Sequence, residues 1–245
     1  MKFDDIKKLH QKKYRAEFGQ FLVEGEHLVL ELQKAAEHTP QLKSSELYVT
    51  DAHANWQTPF KTHVISDRQM AQITDTKTPQ GIVALVPMPD VAAAAPSTIE
   101  RAVYLHQIQD PGNLGTILRT LAWFGGFRCL LSPGSVDPYN PKVVRASMGG
   151  IFHTPVELDV ALESLGSRFV RIACLDMQGE PMQSERFGSH DCFLFGNEAR
   201  GVPREHLAAL GAQPFTIPGC GAIESLNLAA TVHMCTYELN RLVAY

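Results

Sequence analysis

The chain has 245 residues, of which 44% are hydrophobic, and a formal net charge of −4. That much apolar material supports a sizeable core and excludes wholesale disorder, while the global charge makes no case for nucleic acid. Five cysteines without a C-x-x-C pair, and ten histidines without H-x-x-x-H spacing, point to buried thiols and away from a disulfide framework or a metal site.

The start, MKFDDIKKLHQKKYR, is too polar for a signal peptide, and no stretch is apolar over a membrane-spanning length, so a cytoplasmic protein is expected. Residues 1–20 carry six basic side chains against three acidic ones. Such an arm reads either as a solvated helix face or as a phosphate-touching surface. Short alternations then predict strands at 19–25, 46–50, 62–66 and 81–86, with a helix over 26–38, making a small α/β unit of residues 1–86. Residues 87–100, rich in proline and alanine, read as a linker.

A second unit, 101–245, repeats a strand-then-helix pattern. Near-continuous apolar runs at 102–108, 127–132, 169–175 and 191–196 read as buried strands. Over 113–126, Leu114, Ile117, Leu118, Leu121 and Ala122 share one helical face; Asn113 is placed to cap that helix, and Gly125 and Gly126 to end it. Residues 226–245 form another apolar helical run. The expected fold is α/β, a parallel sheet with helices on both faces, preceded by a small α/β domain.

Ligands of open parallel sheets sit at the carboxyl ends of the strands, and three such ends are decorated. QDPGNLGTILR (109–119) offers Asn113 and Arg119. FGNEARGVP (195–203) puts Glu198 directly after a buried strand, close to low dielectric. IPGCGAIESLNLAA (217–230) places Glu224, Ser225 and Asn227 at a helix start that needs only one cap. Neither a dinucleotide fingerprint, a P-loop nor a G-x-S-x-G elbow is present. The residues by themselves lead to an α/β protein with a polar, glycine-rich site built from three loops.

DPGNLGTILRTLAWFG, LFGNEARGVP and IPGCGAIESLNLAATVHMCTYEL together resemble, in order and spacing, the three motifs of the SpoU (TrmH) family of RNA 2′-O-ribose methyltransferases in the SPOUT superfamily. KKYRAEFGQFLVEGEHLVLEL resembles the substrate-binding domain that precedes the catalytic domain in many members. Gly219 and Cys220 depart from the family's usual loop. The resemblance implies a C-terminal trefoil knot, a homodimer formed through the knotted domain, and S-adenosylmethionine as cofactor, held near Leu175, Gly196, Ile217 and Leu226. A large side chain at Gly196 is expected to block the cofactor. The implied catalytic set is Asn113, Arg119, Glu198, Ser225 and Asn227, with Arg119 better suited to clamp a phosphate than to act as a base, because a guanidinium scarcely deprotonates. Lys12, Lys13 and Arg15 become the expected RNA contacts, and structured ribosomal RNA the expected partner. Methylation of transfer RNA, or RNA binding without catalysis, are the competing readings.

Overall fold

The computed structural model describes residues 1–89, 101–223 and 225–241. The expected linker from residue 90 onward, Glu224, and the last four residues of the expected C-terminal helix lie outside the described residues. Among the described residues, no helix is long and apolar enough to cross a membrane.

The N-terminal unit begins with α1 (Phe3–Ile6), a 3-10 turn at Lys7–His10, and α2 (Lys12–Phe18). Gly19, at φ 62, ends α2 in the left-handed conformation that a side chain would disfavour. Then follow β1 (Gln20–Glu24), α3 (Glu26–His38), β2 (Glu46–Val49), β3 (Lys61–Val64), α4 (Asp67–Ile73) and β4 (Ile82–Pro87). The sheet order is β1-β4-β2-β3, with β4 antiparallel to both neighbours and β2 parallel to β3. The helix expected over 26–38 and all four expected strands are present.

The second unit contains β5 (Arg101–Leu105), α5 (Pro111–Phe124), β6 (Phe127–Leu131), α6 (Pro141–Ala146), β7 (Val156–Glu157), α7 (Leu165–Arg168), β8 (Ile172–Pro181), β9 (Cys192–Phe195), α8 (Arg204–Ala209), β10 (Gln213–Thr216) and α9 (Leu228–Arg241). Its six strands are all parallel, in the order β10-β8-β9-β5-β6-β7. Alternate residues serve opposite faces. Val103, Leu105, Phe193 and Phe195 pack with α5 and α9, while Tyr104, Leu130 and Leu194 pack with Leu165 and Leu207 on the other face. Helices therefore cover both sides, as the apolar runs require.

Several boundaries differ from the sequence reading, three of them near the carboxyl edge of the parallel sheet or at a helix start. The strand expected to reach residue 108 stops at Leu105, because Gln107 turns to φ 50, outside any strand conformation. The strand expected at 169–175 begins at Ile172 and extends to Pro181, with a register break against β10 between Pro214 and Phe215. The helix expected from Asn113 starts at Pro111. Its cap is Asp110, whose Oδ1 accepts from Asn113 N at 2.7 Å. Asn113 is therefore not the cap, and its side chain is free for other work. Proline at the first helical position and an acid before it carry that signal in the sequence.

One hydrophobic core runs through both units: Phe21, Val23 and Leu28 join Tyr139, Val143 and Leu228 in a single cluster, and the Phe21 and Tyr139 rings lie 4.9 Å apart. Ion pairs add to this joint. Arg15 meets Asp137, and Arg145 meets Asp75 at 2.7 Å and Glu24 at 3.8 Å. Arg15 is thus buried at the joint, which corrects its placement among the RNA contacts; the fork it needs is supplied by protein groups. Cutting the chain between the units would expose this apolar surface and strand Asp137 without its cation.

Candidate active site

Three loops meet at the carboxyl edge of the parallel sheet. The loop after β5 carries Asp110 and leads into α5. The loop after β9 holds Asn197 and Glu198. The segment between β10 and α9 brings Asn227 back from the sheet edge to its middle.

Asn113, Glu198 and Asn227 are joined in a line. Asn227 caps α9, its Oδ1 accepting from Ala230 N at 3.2 Å. An N–H requires the oxygen, so the other end of the amide must be the donor. Asn227 Nδ2 donates to Asn113 Oδ1 at 3.0 Å. Asn113 in turn presents its Nδ2 to Glu198 Oε1 at 3.2 Å. The helix cap thereby fixes the direction of the whole relay, which ends on a carboxylate. Glu198 Oε2 has no partner among the described residues and is open to solvent.

Arg119 lies further along α5 and is exposed, without hydrogen bond or ion pair among the described residues. Its backbone is covered: a Cβ on Gly150 would lie 2.8 Å from Arg119 Cα, so a glycine is required there for that turn to pack on α5. Ser225 is exposed beside Asn227. The relay does not include either residue.

The four residues expected at the cofactor fall into different settings. Leu175 and Ile217 are half-buried against the core, and Leu226 is exposed. Gly196 is pressed against its own loop, since a Cβ would lie 2.6 Å from Gly201 Cα. This backbone approach is by itself a reason for glycine at this position. Over residues 219–223 the backbone donates no hydrogen bond to other backbone groups among the described residues. A Cβ at Gly219 or Gly221 would meet nothing within 4 Å. This segment is an open edge of unpaired amides beside the exposed apolar side chains Ile223 and Leu226.

Sequence reasoning missed the residues that hold these loops. Asn197 is buried; its Nδ2 donates to Gln107 O at 2.8 Å, and its Oδ1 accepts from Ala199 N at 3.0 Å and Arg200 N at 3.2 Å. Gln107, at its positive φ, also donates its backbone N–H to Ser132 Oγ at 2.7 Å. Only Asn197 carried a sequence signal, as an Asx-type turn residue. Lys12 and Lys13 are exposed on α2. Among the described residues no cluster of His, Cys, Asp and Glu could hold a metal.

A parallel sheet whose carboxyl edge gathers a polar relay, an exposed arginine and an open glycine loop has the layout of an α/β protein with its ligand site at that edge. Residues 100–237 match the model of the SpoU rRNA methylase family, and residues 2–84 match that of the MRM3-like substrate binding domain. The chain belongs to the SpoU rRNA methylase family. It is 32% identical over 242 residues to the 23S rRNA (guanosine(2553)-2′-O)-methyltransferase RlmP of Bacillus subtilis, covering 97% of this chain and 95% of that protein. Among solved structures, a protein of the TrmH family from Porphyromonas gingivalis superposes with a TM-score of 0.81 at 28% identity, covering 98% of this chain and 96% of the other. An AdoMet-bound rRNA methyltransferase from Sinorhizobium meliloti gives 0.80 at 26% identity, covering 98% and 94%.

Proposed function

We propose that this protein methylates a ribose 2′-hydroxyl of ribosomal RNA with S-adenosylmethionine. The observation that carries the reading is the directed relay from Asn227 through Asn113 to Glu198, made by the motif residues of the SpoU family at the carboxyl edge of the sheet. Full-length similarity to a 2′-O-methyltransferase of ribosomal RNA, N-terminal unit included, favours ribosomal over transfer RNA.

The residues present fit the cofactor. Unpaired amides over 219–223 suit the edge of an adenine, and Leu175, Ile217 and Leu226 suit its faces, with Gly196 bounding the site. S-adenosylmethionine supplies a methyl group already activated by its sulfonium charge. The chain's own residues then have to orient the ribose and accept a proton. Glu198, with one oxygen fixed by Asn113, offers the other to the 2′-hydroxyl. As the new oxygen–carbon bond forms and the methyl–sulfur bond breaks, its electron pair staying with sulfur as a neutral thioether, the hydroxyl proton passes to this carboxylate. Arg119 is the phosphate clamp, its planar fork holding the nucleotide in place. Ser225 lines the same edge and positions the ribose.

In this reading residues 1–86 select the RNA, 87–100 connect, and 101–245 carry the chemistry. The segment after β10 is threaded to form a trefoil knot, supported by its return from the edge strand to the middle of the sheet. The protein is a cytoplasmic homodimer. Support for the dimer is the exposed apolar surface on two helices that run side by side in the same direction, joined by Asn113–Asn227 and Thr120–His233. Trp123 is 84% exposed there and Tyr237 60%.

The test is to incubate the full-length protein with an unmodified 23S rRNA transcript and labelled S-adenosylmethionine, then map protection from alkaline hydrolysis. One protected linkage, lost in Glu198→Gln, is expected. Methylation of transfer RNA only, or cofactor binding without transfer to any RNA, would replace this reading with one of its competitors.

A further inference from the structure

Arg15 is a buried cation within an otherwise solvated basic arm. Its side chain is 3% exposed and that of Asp137 is 9% exposed. Arg15 Nε lies 2.9 Å from Asp137 Oδ2, and its NH1 donates to the Leu9 carbonyl at 2.7 Å. The second carboxylate oxygen of Asp137 accepts from Tyr139 N at 3.0 Å. One guanidinium therefore ties both the 3-10 turn and α2 to the segment 132–138 that follows β6.

That segment is bonded in turn to the loop after β5. Gln107 N donates to Ser132 Oγ at 2.7 Å, Gln109 Nε2 to Gly134 O at 2.8 Å, and Val136 N to Ile108 O at 2.8 Å. The same loop holds Asn197 through the Gln107 carbonyl and presents Asn113 through its cap, Asp110. Arg15 is thus connected by consecutive hydrogen bonds and short stretches of chain to the side chains around Glu198.

Lys12 stands on the turn of α2 that carries Arg15 and lines a shallow groove with Ser132, Ser135, Pro138 and Asp159. Neither Lys12 nor Lys13 has an ion pair among the described residues, and Lys13 is held over the Tyr14 ring at 5.6 Å. At the inner end of this path Arg200 is exposed and reaches Gln107 Oε1 at 3.3 Å. Exposed cations without ion pairs among the described residues thus stand at both ends of the bonded path, Lys12 and Lys13 at the outer end and Arg200 beside the site, and they suit a polyanion. A buried ion pair adds little net stability over apolar packing, but a two-point fork fixes an angle and a register.

We propose that Lys12 and Lys13 hold backbone phosphates of the substrate RNA where it crosses segment 132–138, and that Arg15 is the positioning residue that sets their distance from Glu198. This rests on the RNA methyltransferase reading. Steady-state methylation of the 23S rRNA transcript by the full chain tests it, with RNA affinity measured by anisotropy across salt concentrations. In Lys12→Gln/Lys13→Gln, KM for RNA should rise about tenfold at low salt with kcat retained, and the salt slope should fall by about 1.5. Arg15→Lys and Asp137→Asn keep both surface lysines, yet should raise KM similarly, and their double variant should be no worse than either single one. Cofactor affinity should be unchanged in all of them.

Arg15→Lys or Asp137→Asn with a lower melting temperature but wild-type KM would overturn the positioning role. A wild-type salt slope in the lysine pair variant would overturn the phosphate contacts. If wild-type protein methylates no RNA, the functional reading fails separately, and the anisotropy series still decides whether the arm grips RNA.

Discussion

Asn227→Asp separates the relay from the helix it caps. The substituted carboxylate still accepts from Ala230 N, and Asp caps as well as Asn does. Its charge also suits a helix N-terminus, so the melting temperature should stay within about 2 °C of wild type. The relay behaves differently. The new carboxylate has no donor for Asn113 Oδ1, which lies 3.0 Å from the position where an oxygen replaces the amide nitrogen. Asn113 must flip its amide, and the flip turns an oxygen toward Glu198 Oε1, where 3.2 Å formerly separated donor and acceptor. The flipped amide donates to the new carboxylate, so the contact with residue 227 is remade in reverse, and the hydrogen bond to the charged Glu198 is the one lost. It is solvent-exposed in the free protein, so the lower range applies, roughly 1.5–2.5 kcal/mol in the transition state, or about 10- to 70-fold in rate. Asn227→Ala gives the contrasting result: the cap goes too, about 1 kcal/mol and roughly 2–4 °C in melting temperature. Single-turnover methylation beside a thermal melt reads both quantities. An Asp variant within threefold of the wild-type rate, with a slow Ala variant, would show that only the cap matters and refute the relay.

Arg119→Lys keeps the charge and loses the fork, and should slow transfer by roughly 30- to 1,000-fold, about 2–4 kcal/mol, with RNA binding weakened as in Arg119→Ala; a lysine variant that stays active with a new ionisation in its pH–rate profile would make this position the base. Gly196→Ala drives a Cβ to 2.6 Å from Gly201 Cα, so it should displace the loop that carries Glu198, lower the melting temperature and weaken cofactor binding together by calorimetry. Cys220 is exposed, whereas burial pushes the Cys129, Cys174 and Cys192 thiols up to about 12; at pH 8 a thiol reagent should modify Cys220 alone in the folded protein, and S-adenosylmethionine should slow it. For these three raised thiols the unfolded chain ionises first, near the ordinary value of 9.0. Their burial in the neutral form therefore favours the folded state fully below that pH, and the contribution should be lost as pH rises toward 12, visible as falling denaturant midpoints; a flat profile over that window would contradict the burial.

Local pattern determined a good deal of this protein. Period-two and near-continuous apolar runs marked the strands, the shared face of Leu114, Ile117, Leu118 and Leu121 marked α5, and three ordered motifs brought the family into view, because each is a short-range arrangement written in adjacent residues. The cap of α5 is legible too, in the acid before Pro111, although by local pattern Asn113 competes for that role. The pairings across the chain were not legible. Asn113 meets Glu198 across 85 residues and Asn227 across 114, and Arg15 meets Asp137 across 122. A basic residue among lysines looks solvated in any local window; only the packing of α2 onto segment 132–138 takes Arg15 out of water and supplies the carboxylate that makes its burial tolerable. Likewise local pattern gives no sign that Gly201 returns onto Gly196; the tertiary structure alone supplies that close approach. Helix and strand periodicity follow from backbone geometry, but which polar group ends beside which depends on strand order and loop closure, and those are set by the collapse of one core shared between both units.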